Sequence, residues 1–410
     1  MEALVPEEIV HIAAGDRHSL AVGASGRVWA WGSGGGAGAG PGEDSSSFPA
    51  ARLPRLVPGI SSARSVAAGS AHSLILCRDG DGDDGEISKG TVYSWGDGSR
   101  GALGHGEGSA SATGSGFFSF FFSGSKKRKS QRGRAAAERA APRLLRTLAG
   151  RDARAIAASG SRSGAILRGE GGSGSGNGGE VFLWGDDGGF RAAVSGAGRA
   201  ALDTPARVPG LDSSFSISLL ALGRSHALCA REGGGGPLLA WGDGSDHGAL
   251  GLFPDSGQSP SASPPVPPPT AVDRPCRVAA LDGAGALKSI SAGWKHSLAC
   301  CEVSPESAFG PNSSKPSSSL FSWGWGGSQG SEGPLDPSGA STGGGQLGSG
   351  DDLDRPRPYP VSELVFSRRS KRNHDGNDVS ESSRSLRRWR ALQVSAGLNH
   401  SAALVEVALG

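Results

Sequence analysis

Histidine and cysteine are the residue types in this sequence that could bind a metal ion or act as a nucleophile, with nine and five copies among 410 residues. Five of the histidines occupy the same place in a recurring phrase, AAGxxHS: His18, His72, His226, His296 and His400. Residues at the same place of successive structural repeats lie apart in the fold, because each repeat contacts only its neighbours. The sequence therefore predicts a structural role for each imidazole, bonding backbone groups of its own repeat, and no metal site.

The cysteines are odd in number and form no CxxC pair, which predicts neither a disulfide framework nor a zinc site and fits a reducing compartment. Cys77, Cys229 and Cys300 closely follow repeat histidines in apolar stretches, so small buried side chains are expected there. The motifs GxxxxGK[ST], GxSxG and HExxH are absent from the sequence. We therefore expect no catalytic residues and no bound cofactor, which predicts that the protein is not an enzyme.

Two recurring phrases define the elements that position these residues. The AAGxxHS phrase begins near residues 12, 66, 220, 290 and 394, and a decayed copy at 156–167 has Arg162 in place of histidine. The second phrase, xVxxWG, alternates apolar and polar residues before a glycine, as a strand ending in a turn does. Its tryptophans, predicted to be buried between units, are Trp31, Trp95, Trp184, Trp241 and Trp323. Such strand pairs cannot bury their faces alone, which favours radial stacking into a β-propeller.

Composition agrees with an all-β protein that carries flexible insertions. Glycine supplies 70 residues and proline 25, and each glycine inside a helix costs about 1 kcal/mol relative to alanine. The formal net charge of +2 gives no global field for nucleic acid, so direct nucleic-acid binding is not expected. The first residues lack the apolar core of a signal peptide, and no apolar run is long enough to span a bilayer. These features predict a soluble cytoplasmic or nuclear protein without a transmembrane segment.

The combination of AGxxHSLAL, GxVWxWGxGxxGQLGxG and a later PxxV resembles the regulator of chromosome condensation repeat family. That resemblance implies a seven-bladed β-propeller, whereas this chain has six copies of the first phrase and five of the second. A single propeller domain over 1–410 is therefore expected, as a six-bladed ring or an incomplete seven-bladed one. The predicted disordered or loop insertions are 109–141, 252–275, 303–318, 328–343 and 366–387.

The insertion at 109–141 contains a basic run beside a phenylalanine cluster: Lys126, Lys127, Arg128 and Lys129. Three interpretations stay open for it: a nuclear import signal, a docking segment for an acidic membrane surface, or a solvated loop. A second basic run at 368–372 has the same import or loop interpretations. The proline-rich stretch at 264–270 is either a ligand for SH3-type or WW-type modules or a stiff spacer.

The family resemblance implies three functions. The first is a non-catalytic platform that binds proteins, including chromatin proteins, through its loops. The second is guanine-nucleotide exchange on a Ran-type small GTPase. The third comes from a resemblance to the plant UV-B receptor branch, in which tryptophans of successive GWRHT phrases cluster; here Trp294 in GWKHS matches and Trp325 matches in part. Both are predicted to be surface aromatic residues. Because the remaining equivalent positions are not tryptophan, photoreception is the least favoured of the three.

Overall fold

The computed structural model describes fourteen stretches of the chain, and every regular element of more than three residues within them is a β-strand. These stretches are 7–33, 51–78, 89–106, 141–169, 179–185, 202–211, 216–233, 236–244, 247–252, 271–302, 319–327, 345–367, 383–386 and 389–407. The basic runs at 126–129 and 368–372, the proline-rich stretch and the insertions at 303–318 and 328–343 lie outside them. Contact clustering divides the chain into unit 1 (1–231, 239–243 and 271–276) and unit 2 (232–238, 244–270 and 277–410).

Unit 1 contains four antiparallel sheets of four strands, in which neighbouring strands follow one another along the chain. Sheet 1 consists of β1 (Ile9–Ala14), β2 (His18–Gly23), β3 (Val28–Gly32) and β4 (Ala51–Leu56). Sheet 2 consists of β5 (Ala63–Ala68), β6 (His72–Arg78), β7 (Gly90–Gly96) and β8 (Arg143–Leu144). Sheet 3 consists of β9 (Ala153–Ser159), β10 (Arg162–Arg168), β11 (Gly179–Gly185) and β12 (Leu202–Arg207). Sheet 4 consists of β13 (Leu219–Leu222), β14 (His226–Ala230), β15 (Leu239–Asp243) and β16 (Ala271–Arg277), whose last residue is assigned to unit 2.

Unit 2 contains a fifth four-stranded sheet and two antiparallel pairs. Sheet 5 consists of β17 (Ala286–Ala292), β18 (His296–Glu302), β19 (Leu320–Gly324) and β20 (Arg355–Pro360). The pairs are β21 (Leu364–Ser367) with β22 (Ser383–Leu386), and β23 (Trp389–Ala396) with β24 (Ser401–Val407), which we name sheet 6. Single 3-10 turns occur at Ser99–Gly101, Arg146–Leu148 and Ala279–Leu281.

Two predicted insertions contain regular structure at their ends. The loop predicted at 252–275 ends inside β16, which begins at Ala271. The insertion predicted at 366–387 includes the end of β21 and all of β22. The proline-rich and serine-rich composition of these segments is typical of loops. They form strands because they pair with apolar neighbours that lie elsewhere in the sequence.

One register is common to the five four-stranded sheets and fixes the repeat geometry. The residue that opens the second strand pairs with the glycine of the WG turn, as in His18 with Gly32 and His296 with Gly324. Gly324 has φ +103, and a Cβ there would lie 2.7 Å from the Cα of His296. Both the left-handed backbone and this close approach require glycine at the end of the third strand.

The core consists of apolar layers between successive sheets rather than within one sheet. In unit 1, Trp95 packs with residues of sheets 1 and 2, Trp184 with sheets 2 and 3, and Trp241 with sheets 3 and 4. Trp95, Trp184, Trp241 and Trp323 are at most 1% exposed, as the sequence predicted, and burying each contributes roughly 1.5–3 kcal/mol or more. Trp31 is only half-buried. In unit 2 the core layer joins sheets 5 and 6 through residues such as Leu298 and Val394.

Candidate functional site

The repeat histidines join neighbouring sheets through serine hydroxyls. His18 Nε2 lies 2.9 Å from Ser73 Oγ, His72 Nε2 lies 2.8 Å from Ser163 Oγ, and His296 Nε2 lies 3.1 Å from Ser401 Oγ. In each pair the serine belongs to the next sheet, where it directly follows the residue at the repeat-histidine position. The expectation that each imidazole bonds within its own repeat was therefore wrong for these three, because the ring reaches across the sheet boundary. Of the other two, His226 is fully buried and His400 is exposed.

The protonation state of His72 follows from its neighbours. Ser163 Oγ donates its one hydrogen to the carbonyl oxygen of Ala102 at 2.8 Å, so His72 Nε2 must donate to Ser163 Oγ. Burial lowers the pKa of His72 to about 4, and burial likewise lowers the pKa of His296 to about 4. Both imidazoles are consequently neutral at physiological pH.

This histidine–serine connection is interrupted once in unit 1, and both partners are replaced there. Arg162 opens the second strand of sheet 3 in place of histidine, and Ala227 stands in sheet 4 where the serine would be. Without a histidine in sheet 3, a serine in sheet 4 would be a buried hydroxyl that lacks this partner, which is costly. The two replacements therefore agree with each other.

In four of the AAGxxHS phrases the glycine provides space for the imidazole, and in three of these it also provides space for the backbone of the next sheet. A Cβ on Gly69 would lie 2.1 Å from His72 Cε1 and 2.8 Å from the carbonyl oxygen of Gly160. Gly293 and Gly397 have the same relation to the rings of His296 and His400. These glycines are therefore required by the close approach of the ring and neighbouring backbone and not by a left-handed φ.

A short phrase, GALG, follows two of the WG turns at 101–104 and 248–251, and its alanine supplies one carbonyl that two side chains of the next sheet share. Ala102 O accepts from Ser163 Oγ and, at 3.0 Å, from Trp184 Nε1. Ala249 O accepts from Ser297 Oγ and Trp323 Nε1, both at 2.8 Å. Sequence patterns cannot predict this role, because a backbone carbonyl acceptor has no side-chain signature.

The cysteines show the environment expected of small buried side chains. Cys77, Cys229, Cys300 and Cys301 are buried, and Cys276 is partly exposed. Burial raises the pKa of Cys300 to about 11 and that of Cys301 to about 12, and it also raises the pKa of Cys229. Thiols held in the protonated form are poor nucleophiles.

A cluster of aromatic and charged side chains in unit 2 stands out from the repeat framework. The indole rings of Trp294 and Trp325 meet edge to face with centroids 6.2 Å apart. Lys295 Nζ lies 5.5 Å from the centroid of Trp294 and 5.9 Å from that of Trp325. His247 Nδ1 lies 2.7 Å from Asp354 Oδ2, and Lys295 Nζ lies 3.4 Å from His247 Nε2. The structure thus brings together the two tryptophans that the sequence singled out.

Trp325 is not the surface aromatic residue that the sequence predicted. Its side chain is 5% exposed, whereas Trp294 is partly exposed. The His247 ring lies 5.8 Å from the Trp325 ring and helps to cover it. Sequence reasoning assigned His247 no role, although its position directly before a GALG phrase places it beside the next WG turn.

The residue after the glycine in each AAGxxHS loop varies from repeat to repeat, although most repeats share the flanking framework. It is polar or charged in unit 1 and apolar in unit 2: Asp16, Ser70, Ser161 and Arg224 against Trp294 and Leu398. Leu398 is 45% exposed, and its loop touches the Trp294 loop, because the carbonyl oxygen of Gly397 would lie 2.6 Å from a Cβ on Gly293. Loops held on a rigid framework are the usual place for binding residues.

Within the described stretches, no group of three or more His, Cys, Asp or Glu side chains is arranged to hold a metal ion. No helix among the described residues is long and apolar enough to cross a membrane. The predicted import signal, Lys126, Lys127, Arg128 and Lys129, lies outside the described residues.

Comparisons with known proteins agree with this architecture. Two family models described as the regulator of chromosome condensation (RCC1) repeat match residues 9–36 and 63–102, and residues 25–76 and 89–166. The human E3 ubiquitin-protein ligase HERC2 is 28% identical over 312 residues, which are 75% of this chain and 5% of that protein. The chain therefore spans a small part of the length of this relative.

Solved structures show similarity over nearly the whole chain. Prp20p of Saccharomyces cerevisiae, described with its binding properties to Gsp1p and histones, gives a TM-score of 0.58 at 20% identity, covering 98% of this chain and 70% of that one. Human WBSCR16 gives 0.51 at 15% identity, covering 99% and 88%. Residues 9–166 therefore match models of the RCC1 repeat, and the chain is similar in fold to these solved structures, so its repeated sheets correspond to the blades of an RCC1-type β-propeller.

Proposed function

We propose that the protein is a non-catalytic interaction platform that binds another protein through the loops of its AAGxxHS phrases. The observation that carries this proposal is the contrast between a framework that most repeats share and one loop position that differs in each repeat type. Histidine, serine and the GALG carbonyl hold sheets together, whereas the variable position is occupied by Trp294 and Leu398 in two adjoining loops. A partly exposed tryptophan is a residue type enriched in interaction hot spots, and exposed Leu398 on the adjoining loop adds apolar surface beside it.

The cluster beneath Trp294 holds it in place. Its ring packs against buried Trp325, and Lys295 lies over both rings. A side chain that is fixed before binding loses less conformational entropy on association, which favours affinity. Catalysis has no comparable support, because the buried repeat histidines face serines and carbonyl oxygens of the framework.

The experiment is affinity capture with the full chain and a loop variant, Trp294→Ala/Leu398→Ala. A matched control, Asp16→Ala/Ser70→Ala, changes the same loop positions of sheets 1 and 2. Proteins that bind the wild type and the control but not the loop variant would then be purified and titrated directly. Retention of every captured protein by the loop variant would refute the proposal.

Guanine-nucleotide exchange on a Ran-type small GTPase is the second candidate. Its support is the fold similarity to Prp20p, described as binding Gsp1p, and that similarity concerns the fold. Release of a fluorescent guanine nucleotide from a purified Ran-type GTPase tests it. Exchange activity is one way in which a binding platform acts, so a positive result would identify a small GTPase as the partner in the first proposal.

A further inference from the structure

Sheet 1 exposes one face whose equivalent in sheet 2 is buried. The strand register places Ala14, Ser19 and Trp31 side by side on this face. Ile12 lies on the same face as Ala14, because alternate residues of a strand point to the same side. Ile12 is 71% exposed, and Ser19 and Trp31 are half-buried. We define Ile12, Ser19 and Trp31 as the Ile12 face.

The equivalent residues of sheet 2 are covered by sheet 1. Val66, Ser73 and Trp95 hold the same positions in the register, and each is at most 3% exposed. Val66 and Trp95 belong to one apolar cluster with Val22 of sheet 1, and Ser73 Oγ lies 2.9 Å from His18 Nε2. A face of this type is therefore buried when a neighbouring sheet supplies a histidine and aliphatic side chains.

Sheet 6 exposes a face of the type that supplies these groups. His400, Ala402 and Leu404 alternate along β24 and the residue before it, so they lie on one face. All three are exposed, Leu404 by 59%. We define them as the His400 face. The equivalent residues of sheet 1 are at most 3% exposed because sheet 2 covers them. They are His18, Leu20 and Val22.

The His400 imidazole lies where a bonded repeat histidine has its ring. A Cβ on Gly397 would lie 2.3 Å from His400 Cε1, and a Cβ on Gly69 would lie 2.1 Å from His72 Cε1. His72 Nε2 lies 2.8 Å from Ser163 Oγ of the next sheet. The ring of His400 is therefore placed to bond a serine of a sheet that stacks on sheet 6.

The two exposed faces are complementary, because together they contain the parts of the contact between sheets 1 and 2. We propose that the His400 face of one copy of the chain binds the Ile12 face of a second copy. The His400 imidazole bonds to Ser19 Oγ, and Leu404 packs against Ile12 and Trp31. The occupant is a second copy because this chain itself carries both halves of a contact that its own sheets use repeatedly.

The contact is heterologous, since it joins two different faces. Copies joined in this way either close into a ring or continue as a filament, and the smallest ring is a dimer with two identical contacts. The inference goes beyond the proposed platform, because it assigns a role to the faces of sheets 1 and 6 and names the chain itself as the partner.

The first measurement is sedimentation velocity of the full chain over a range of concentrations, at which the average mass should rise. Ile12→Glu and Leu404→Glu should each weaken self-association about tenfold or more, because each would bury a carboxylate without a partner. His400→Ala should weaken it about two- to tenfold through the lost hydrogen bond. Leu353→Glu is the matched control, since Leu353 is 51% exposed outside both faces, and it should associate as the wild type does. Circular dichroism checks that each variant is folded.

Mixing the variants tests which faces meet. Ile12→Glu keeps an intact His400 face, and Leu404→Glu keeps an intact Ile12 face. Fluorescently labelled Ile12→Glu should therefore bind Leu404→Glu in a fluorescence polarisation titration. The double variant Ile12→Glu/Leu404→Glu is the matched control, because it carries the same Leu404 substitution and lacks the intact Ile12 face, and it should not bind.

A monomeric mass at every concentration, as pairing of the two faces within one chain would give, overturns the proposal. Self-association of folded Ile12→Glu or Leu404→Glu at the wild-type level also overturns it, and so does failure of the two variants to bind each other. Loss of self-association with Ile12→Glu alone would indicate contact between two Ile12 faces, which contradicts the heterologous pairing. The platform is tested separately, since none of these variants changes Trp294 or Leu398.

Discussion

The hydrogen bonds of the buried tryptophans predict that equivalent residues differ in their contribution to stability. Trp184 and Trp95 occupy the same position of adjacent sheets in unit 1, and each is 1% exposed. Trp184 Nε1 donates to Ala102 O, whereas Trp95 Nε1 is buried and has no acceptor among the described residues. Substitution by phenylalanine removes the N–H group and part of the ring at either position, so the two variants lose a similar buried area.

The two variants should differ in their loss of stability because one indole N–H group is hydrogen-bonded and the other is not. Trp184→Phe loses a hydrogen bond with a net contribution of about 0.5–1.5 kcal/mol, while Ala102 O keeps Ser163 as its donor. Trp95→Phe removes an unpaired buried donor, which costs the wild type about 1–3 kcal/mol. Trp184→Phe should therefore be more destabilising than Trp95→Phe by about 1.5 kcal/mol or more, about a tenfold difference in the unfolding equilibrium.

Urea denaturation followed by circular dichroism measures both variants without relying on tryptophan emission. Trp323→Phe is a second test in unit 2, because Trp323 donates to Ala249 O, and it should resemble Trp184→Phe. Equal losses for Trp95→Phe and Trp184→Phe, or a larger loss for Trp95→Phe, would refute the role assigned to the GALG carbonyl.

Three further predictions concern the contacts between sheets. Since burial lowers the pKa of His72 from 6.5 to about 4, its contribution to stability is present above pH 6.5 and is lost as pH falls towards 4, by about 3 kcal/mol in total. Urea denaturation across this range should show the loss, and His72→Gln should reduce it by about that amount while the loss due to His296 remains. Gly69→Ala should cost about 3 kcal/mol or more because its Cβ meets His72 and backbone, whereas Gly98→Ala, which meets only the Leu103 side chain, should cost less than about 1 kcal/mol; similar melting temperatures would contradict this. Arg162→His and Ala227→Ser should be coupled favourably by about 0.5–1.5 kcal/mol in a double-mutant cycle, because together they restore the missing histidine–serine pair, and additive effects would argue against it.

Predicting the fold from the sequence worked because the repeat is a local pattern. The glycine of WG, the alternation before it and the apolar residues after each repeat histidine specify strands and turns within short windows. Five of the six AAGxxHS-type phrases lie in four-stranded sheets, and the sixth lies in sheet 6, whose strand β24 pairs only with β23 among the described residues. The strands at 271–277 and 383–386 were missed because their own composition is that of a loop.

Contacts between residues that are far apart along the chain could not be predicted from the sequence. His72 and Ser163 are 91 positions apart, and Trp184 and Ala102 are 82 apart, so no local pattern joins them. The candidate site shows the same limit: Trp294 and Trp325 could be singled out as unusual, but not the burial of Trp325 beneath His247 or the 107-residue link from His247 to Asp354.

The sequence by itself determined the repeat, the all-β class and the burial of most WG tryptophans, because each depends on residues within a few positions of one another. Only the tertiary structure decided that the imidazoles bond to the next sheet, that the AAG glycine serves close approach, and that Lys295 lies over two indoles beside His247. Those features depend on how sheets stack, and stacking brings together residues whose separation along the chain is set by insertions of variable length.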